Sequence, residues 1–417
     1  MAESVTPQNS DTGRAPGTRR DTARLRSGRE SQRDTGRIQA DSAANFRVAV
    51  FAPRLDLDGI TLYTRTLLRA LRERHDTVML VSPGGALADS LDDAWDARFE
   101  MDDAEHLGFF GWRRLKEALT EFEPDVLHSV CPDANVAAVR AADHFQIPLA
   151  VSVHGIKPNE LPQPQDRKYD AYVACDQSVR ERLLNDCRLD RDRTTLISDC
   201  AFPERNPDDR RILDPRKRQV VGWVSPLTEG CGYRCFIEAA IKVQARGVDS
   251  MFSILGTGPY GAEVRDEVEA RGMLPRIVVV QGLYDYARIW DPYDIAIVDT
   301  RQRASLLMVL NAMANGRPVI ATEGGAVFDL IQDGVDGLIV PRDDPDALAE
   351  RILMLVQNPA ERLRMATAAF EKVEQHYDPG DMAYALNAVY AAMVTDEALP
   401  KTFDSRTMKR SARASSS

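Results

Sequence analysis

Between Tyr293 and Leu338 the chain reads YDIAIVDTRQRASLLMVLNAMANGRPVIATEGGAVFDLIQDGVDGL, and few folds accept residues in that order. The run Asp294 to Val298 has the near-continuous apolar pattern of a strand buried on both faces. Parallel sheets demand that pattern because helices cover both of their sides. Leu306, Leu307, Val309, Leu310, Ala312 and Met313 then recur at helical spacing, so strand gives way to helix. Gly316 stands where that helix stops, and Pro318 follows because proline cannot continue it. Val319-Ile320-Ala321 is a second short buried strand before Gly324-Gly325 turns the chain again. Strand, helix and parallel strand in this order are the repeating unit of an open α/β sheet. Such sheets bind ligands outside the carboxyl ends of their strands, here the first turns of the helix and the Gly324-Gly325 loop. A nucleotide suits that position, since helix amides offer hydrogen bonds to phosphate.

The same alternation runs through most of the chain. Strands are expected at Phe46 to Ala52, Val78 to Ser82, Asp125 to His128, Leu149 to Val153, Tyr172 to Ala174 and Thr195 to Ile197. Helices are expected after the loop Pro53 to Gly59, from Leu115 to Phe122 and from Ala134 to Ala142. Pro203 to Lys217 is polar, with three prolines, and reads as a linker. Beyond it Val220 to Val224, Ser250 to Leu255 and Ile277 to Gln281 are strands of a second sheet, with a helix from Phe236 to Ala245. Helices at 345–357, 360–375 and 381–394 complete the pattern. The predicted domains are therefore 46–202 and 218–378, joined by 203–217 and followed by a last helix at 379–394.

The ends differ in kind. Residues 1–45 hold eight arginines and six acids with almost no aliphatic side chains, too little apolar surface to offset the entropy of ordering. Six acids are more than an organellar transit peptide tolerates, so the reading is a disordered tail. Residues 395–417 form a second, basic tail, with five basic residues against Asp404 from 400 onward. The chain carries a net charge of −11, and both ends are net basic, so the body is more acidic than the whole. An acidic body argues against nucleic acid as a partner, whereas the basic tails suit anionic lipid or an acidic protein. Six scattered cysteines, at 131, 175, 187, 200, 231 and 235, suit reduced thiols. Only Cys231 and Cys235 are close, with no second pair to complete a zinc site, so no metal is expected. No apolar run approaches the ~20 residues that cross a bilayer and no secretory apolar core precedes the first strand, so the expected location is the cytoplasm, peripheral at the inner face of the membrane if the tails engage lipid.

From Ala312 onward, AMANGRPVIAT followed by the double glycine resembles the retaining glycosyltransferases of family 4, also called glycosyl transferases group 1. The spacing of Gly222, Gly256-Thr257-Gly258-Pro259 and Gly282 is similar too, and the likeness extends over roughly 46–394. It implies the GT-B fold: two doubly wound, Rossmann-like domains facing across a cleft, the last helix crossing back to the first domain. It further implies a hexosyltransferase that moves a sugar from a nucleotide-sugar to a glycan or lipid-linked acceptor, with the nucleotide-sugar as co-substrate rather than a bound cofactor. The alternative is a catalytically inactive relative acting as a binding or assembly subunit, for instance beside a partner glycosyltransferase.

The resemblance also marks positions. The family's two signature glutamates fall on Arg303 and Asn311, and its phosphate-binding Arg and Lys fall on Trp223 and Glu229. A carboxylate beside phosphate is repulsive and an indole offers a single donor, so both replacements oppose donor binding. Two readings stay open. Glu229 and Arg303 pair across an empty cleft, or Arg301, Arg303 and Arg317 supply positive charge from another direction while Asn311 bonds a ribose hydroxyl. Gly59, Gly222, Gly256, Gly258, Gly324 and Gly325 are the glycines expected near the donor. Asp56 and Asp58 either bind an acceptor hydroxyl or cap the following helix. His154, in SVHG, matches the family's sugar-contacting histidine, or it bonds neighbouring backbone; His128 ends the preceding strand and also faces the cleft edge.

Overall fold

The computed structural model describes residues 45–91, 94–101, 108–132, 135–155, 169–202, 218–282, 288–301, 304–324 and 326–400. The tail 1–44, the linker 203–217, the tail 401–417, and Arg303 and Gly325 among the expected site residues all lie outside the described residues.

The first half is built as β1 (Arg47–Phe51), α1 (Gly59–Glu73), β2 (Thr77–Ser82), β3 (Ala97–Glu100), α2 (Phe109–Phe122), β4 (Val126–Ser129), α3 (Asn135–Phe145), β5 (Leu149–Val153), β6 (Ala171–Ala174), α4 (Gln177–Asn185) and β7 (Thr194–Leu196). The second continues with β8 (Val220–Val224), α5 (Tyr233–Ala245), β9 (Met251–Leu255), α6 (Gly261–Ala270), β10 (Ile277–Val280), β11 (Ile295–Val298), α7 (Ser305–Ala314), β12 (Val319–Thr322), α8 (Val327–Leu330), β13 (Leu338–Val340), α9 (Pro345–Gln357), α10 (Pro359–His376) and α11 (Pro379–Thr395). The strands form a seven-stranded sheet, ordered β3-β2-β1-β4-β5-β6-β7, and a six-stranded sheet, ordered β10-β9-β8-β11-β12-β13. Every pairing between neighbouring strands is parallel. The order turns back on itself beside β1 in the first sheet and beside β8 in the second, the reversal at which open sheets form a ligand crevice.

Local chemistry explains where elements begin. Asp58 caps α1 by accepting from the Thr61 N–H at 2.7 Å, so the capping reading of that residue holds. Asp-Pro pairs open α9 and α11, the Asp side chain capping and the proline filling a first-turn position whose N–H would lack a partner. The strands carry their own acid device. An aspartate immediately before β2, β3, β4, β6 and β11 accepts an N–H at the start of an adjacent strand. The pairs are Asp76 with Phe46, Asp96 with Val78, Asp125 with Arg47, Asp170 with Leu149, and Asp294 with Val220, at 2.7 to 3.0 Å.

Five elements escape the sequence pattern, among them the short α8 and β13. β3 is the sheet edge and reads ARFE, half-exposed, without apolar continuity. α4 and α6 are short and rich in charge. The C-terminal end also begins its tail later than residue 395: Leu399 is buried, and the Pro400 carbonyl accepts from Thr195 Oγ1 at 2.6 Å. α11 lies on the first half. Its Tyr390 reaches His128 at the end of β4 and packs edge-on against Phe46.

Candidate active site between the two sheets

The carboxyl-edge loops of the two sheets touch. The Leu57 N–H, before α1, donates to Thr257 Oγ1, after β9, at 3.3 Å. Gly59 meets Ala304, where a Cβ on Gly59 would collide with the Ala304 carbonyl oxygen. Only glycine allows that approach. Ala304 itself holds φ at 59°, a left-handed conformation uncommon for alanine, and provides α7 with no side-chain cap. The amides at the amino end of α7 therefore point at the crevice without a capping side chain.

On the second sheet the glycines serve close packing. Gly256 and Gly258 press against the backbone from Ser225 to Leu227, with Leu227 N–H to Thr257 O at 2.8 Å and Tyr260 N–H to Leu227 O at 3.1 Å. Gly222 lies under the Tyr293 ring, where a Cβ would enter the ring itself. Gly324, at φ 151°, lies under the guanidinium of Arg342, whose Nε donates to the Glu323 carbonyl at 2.7 Å.

The expected donor residues are placed differently. Trp223 is not at the crevice. It shares a strand face with Val221 in the core against α5, and 2% of its surface is exposed. Alternation along β8 sends both side chains the same way. Glu229 is exposed on the loop before α5. Arg303 lies outside the described residues, and so does its expected pairing with Glu229. Asn311 is buried in the second turn of α7, and its Oδ1 accepts from Trp290 Nε1 at 2.7 Å, so the acceptor that would meet a ribose hydroxyl is already engaged.

Nor do Arg301 and Arg317, the described two of the three arginines, converge. Arg301 is held by Asp299, at 2.7 Å, and Asp343, at 2.8 Å. Asp299, itself 2% exposed, also accepts the Gly232 N–H at 2.9 Å and so ties the loop before α5 to the end of β11. Arg317 is buried at the amino end of β12, the edge of the sheet away from the crevice. Asp56 accepts from Arg54 and from the Ala86 N–H, at 3.2 Å each.

Beneath the first sheet's carboxyl edge lies a buried polar network that no local pattern announces. His128 Nδ1 lies 2.5 Å from the Tyr390 hydroxyl and its Nε2 lies 2.8 Å from Ser152 Oγ, which also bonds the Tyr63 hydroxyl at 2.7 Å. Burial, helped by nearby His154, pushes the His128 pKa down to about 3, so the imidazole is neutral. The His154 side chain has no exposed surface. Its Nδ1 is 3.0 Å from Asp199 Oδ1 and 3.4 Å from Oδ2, its Nε2 is 3.7 Å from Cys175 Sγ, and its ring packs edge-on against Tyr63. His154 is thus turned into the protein and is not presented as a sugar contact.

Comparison with known proteins agrees with this architecture. Residues 218–358 match the family model for glycosyl transferases group 1, and residues 57–201 match that for glycosyltransferase family 4. The alpha-D-kanosaminyltransferase of Streptomyces kanamyceticus is 26% identical over 49% of this chain and 55% of its own length. The 2-deoxystreptamine N-acetyl-D-glucosaminyltransferase of Streptomyces fradiae is 30% identical over 40% of this chain and 41% of its own. The chain thus spans about half the length, or less, of these curated relatives. Among solved structures, Anabaena HepE in complex with UDP and glucose superposes with a TM-score of 0.66 at 18% identity, over 81% of this chain and 98% of that one. The likeness shows the fold, which is GT-B. Among the described residues no helix is long and apolar enough to cross a membrane.

Proposed function

We propose that this chain is a glycosyltransferase that moves a hexosyl group from a nucleotide-sugar to a hydroxyl of a glycan or lipid-linked acceptor, with retention at the anomeric carbon. The observation that carries the reading is that a glycosyltransferase model matches residues 218–358, the whole second sheet, and another matches residues 57–201, the first sheet after β1. Their carboxyl-edge loops meet at Leu57–Thr257 and Gly59–Ala304, where a donor would lie.

Such a transfer releases a nucleoside diphosphate, and the site must stabilise charge that grows on the departing phosphate. Here that work falls to backbone amides at the uncapped amino end of α7 and to the Thr257 hydroxyl, because Trp223 is in the core and Glu229 is an acid. The family's paired glutamates have no equivalent in Asn311, whose oxygen is bound to Trp290. Donor affinity is accordingly expected to be weak, and the reaction slow. Calorimetric titration with UDP, GDP, ADP and dTDP, followed by nucleoside diphosphate release from the matching sugar nucleotides, tests the reading. Saturable binding with release stimulated by an acceptor supports it. Absence of binding by all four would end it and leave the assembly-subunit role.

A further inference from the structure

We propose that His154, Cys175 and Asp199 form a binding site for a divalent transition-metal ion of the zinc class. These residues follow or end β5, β6 and β7, three adjacent strands of the first sheet. One ligand atom from each lies within 4.8 Å of the others. The separation of His154 Nε2 from Cys175 Sγ, 3.7 Å, is close to what two ligands of one tetrahedral zinc require, given Zn–N near ~2.0 Å and Zn–S near ~2.3 Å. Asp199, on the cleft side with 12% of its side chain exposed, is the way in and lies at hydrogen-bonding distance from Nδ1. It can ligate, or hold the imidazole in the tautomer that leaves Nε2 free for metal.

Charge supports the donor set. A thiolate, a carboxylate and a neutral imidazole sum to the charge that one divalent ion cancels, so the filled site is neutral in a buried setting. Metal binding would displace the Cys175 thiol proton and form a bond to sulfur in its place. The remaining coordination position would open toward the cleft, where water or a substrate hydroxyl can enter. The inference stands apart from the proposed transfer reaction, and its test reads metal rather than activity.

The full chain is stripped with a chelator and titrated with Co(II). The expected result is stoichiometric uptake, with a sulfur-to-cobalt charge-transfer band in the near ultraviolet and the intense visible bands of tetrahedral Co(II), both bleached by Zn(II). Cys175→Ser should abolish the charge-transfer band while circular dichroism remains native, and Asp199→Asn should weaken Co(II) by roughly tenfold or more. Cys235→Ser, in the other half, should change neither. Failure to take up Co(II), octahedral spectra, or a charge-transfer band that survives Cys175→Ser would each overturn the assignment. Should Cys175→Ser fold poorly, His154→Gln serves in its place, and a tetrahedral spectrum unchanged in that variant is equally fatal.

Discussion

His128 shows how much a single buried side chain can impose on the conditions under which the protein survives. The unfolded chain takes up a proton near pH 6.5, whereas the folded chain refuses it until about pH 3. Between those values the unfolded state binds more protons, so stability rises with pH and is lost on acidification, by up to ~1.4 kcal/mol per pH unit. Asp58 acts in the opposite sense, since burial raises it from 3.8 to about 6 and the folded state binds the extra proton there. Replacing His128 with Gln isolates its share, because Asp58 is common to both proteins. The expected outcome in guanidinium titrations is a shallower loss of stability from pH 7.5 to pH 4.5, and an unchanged slope would refute the assignment. Glu229 gives a second single-residue expectation. Being exposed, it can become Lys without disturbing the core, and nucleoside diphosphate affinity should then rise roughly three- to tenfold. Trp223→Arg, by contrast, would place a charge in the core and should abolish folding rather than restore binding.

Elements were legible in proportion to how fully they are buried. β5 and β8 fall where their continuous apolar runs place them, and α9 falls on the expected 345–357. β3 was not, because an edge strand half in water needs no apolar run, and α6 was hidden by its four acids. Trp223 was misplaced for a different reason. Motif spacing put it at the donor site, yet its two-residue offset from Val221, whose face is apolar, already pointed to the core. The His154–Cys175–Asp199 cluster could not be seen at all, as its members are joined only by the lateral order of three strands. The aspartates before strands were visible as letters but not as a device until the register showed what each accepts. Asp294, 2% exposed, takes the Val220 N–H at 2.8 Å. Asp294→Ala should therefore cost about 1–3 kcal/mol, the expense of a buried donor left unmatched. Urea unfolding with an unaltered m-value would show it, and a change below ~0.5 kcal/mol would mean that water replaces the carboxylate.

At the scale of the molecule, the carboxyl edges of the two sheets meet in contacts that are exacting. Gly59 against Ala304 leaves no space for a methyl group, so Gly59→Ala should part the carboxyl edges locally while leaving each core intact. The expected signature is an unchanged melting temperature with at least a tenfold loss of nucleoside diphosphate affinity or of donor turnover. A loss of melting temperature with full affinity would place the contact's importance in folding instead. Tyr390 has a consequence of another sort. It belongs to α11, made after both sheets, yet it covers His128 and Phe46, which lie at the carboxyl end of β4 and just ahead of β1. On the ribosome, the half that emerges first therefore remains unfinished until α11 has been made: its central histidine keeps Ser152 but lacks its Nδ1 partner, and the face of α1 that α11 covers stays bare. Synthesis order and assembly order run in opposite directions here, so a nascent chain halted before α11 is the form that chaperones and proteases would meet with its first half still open.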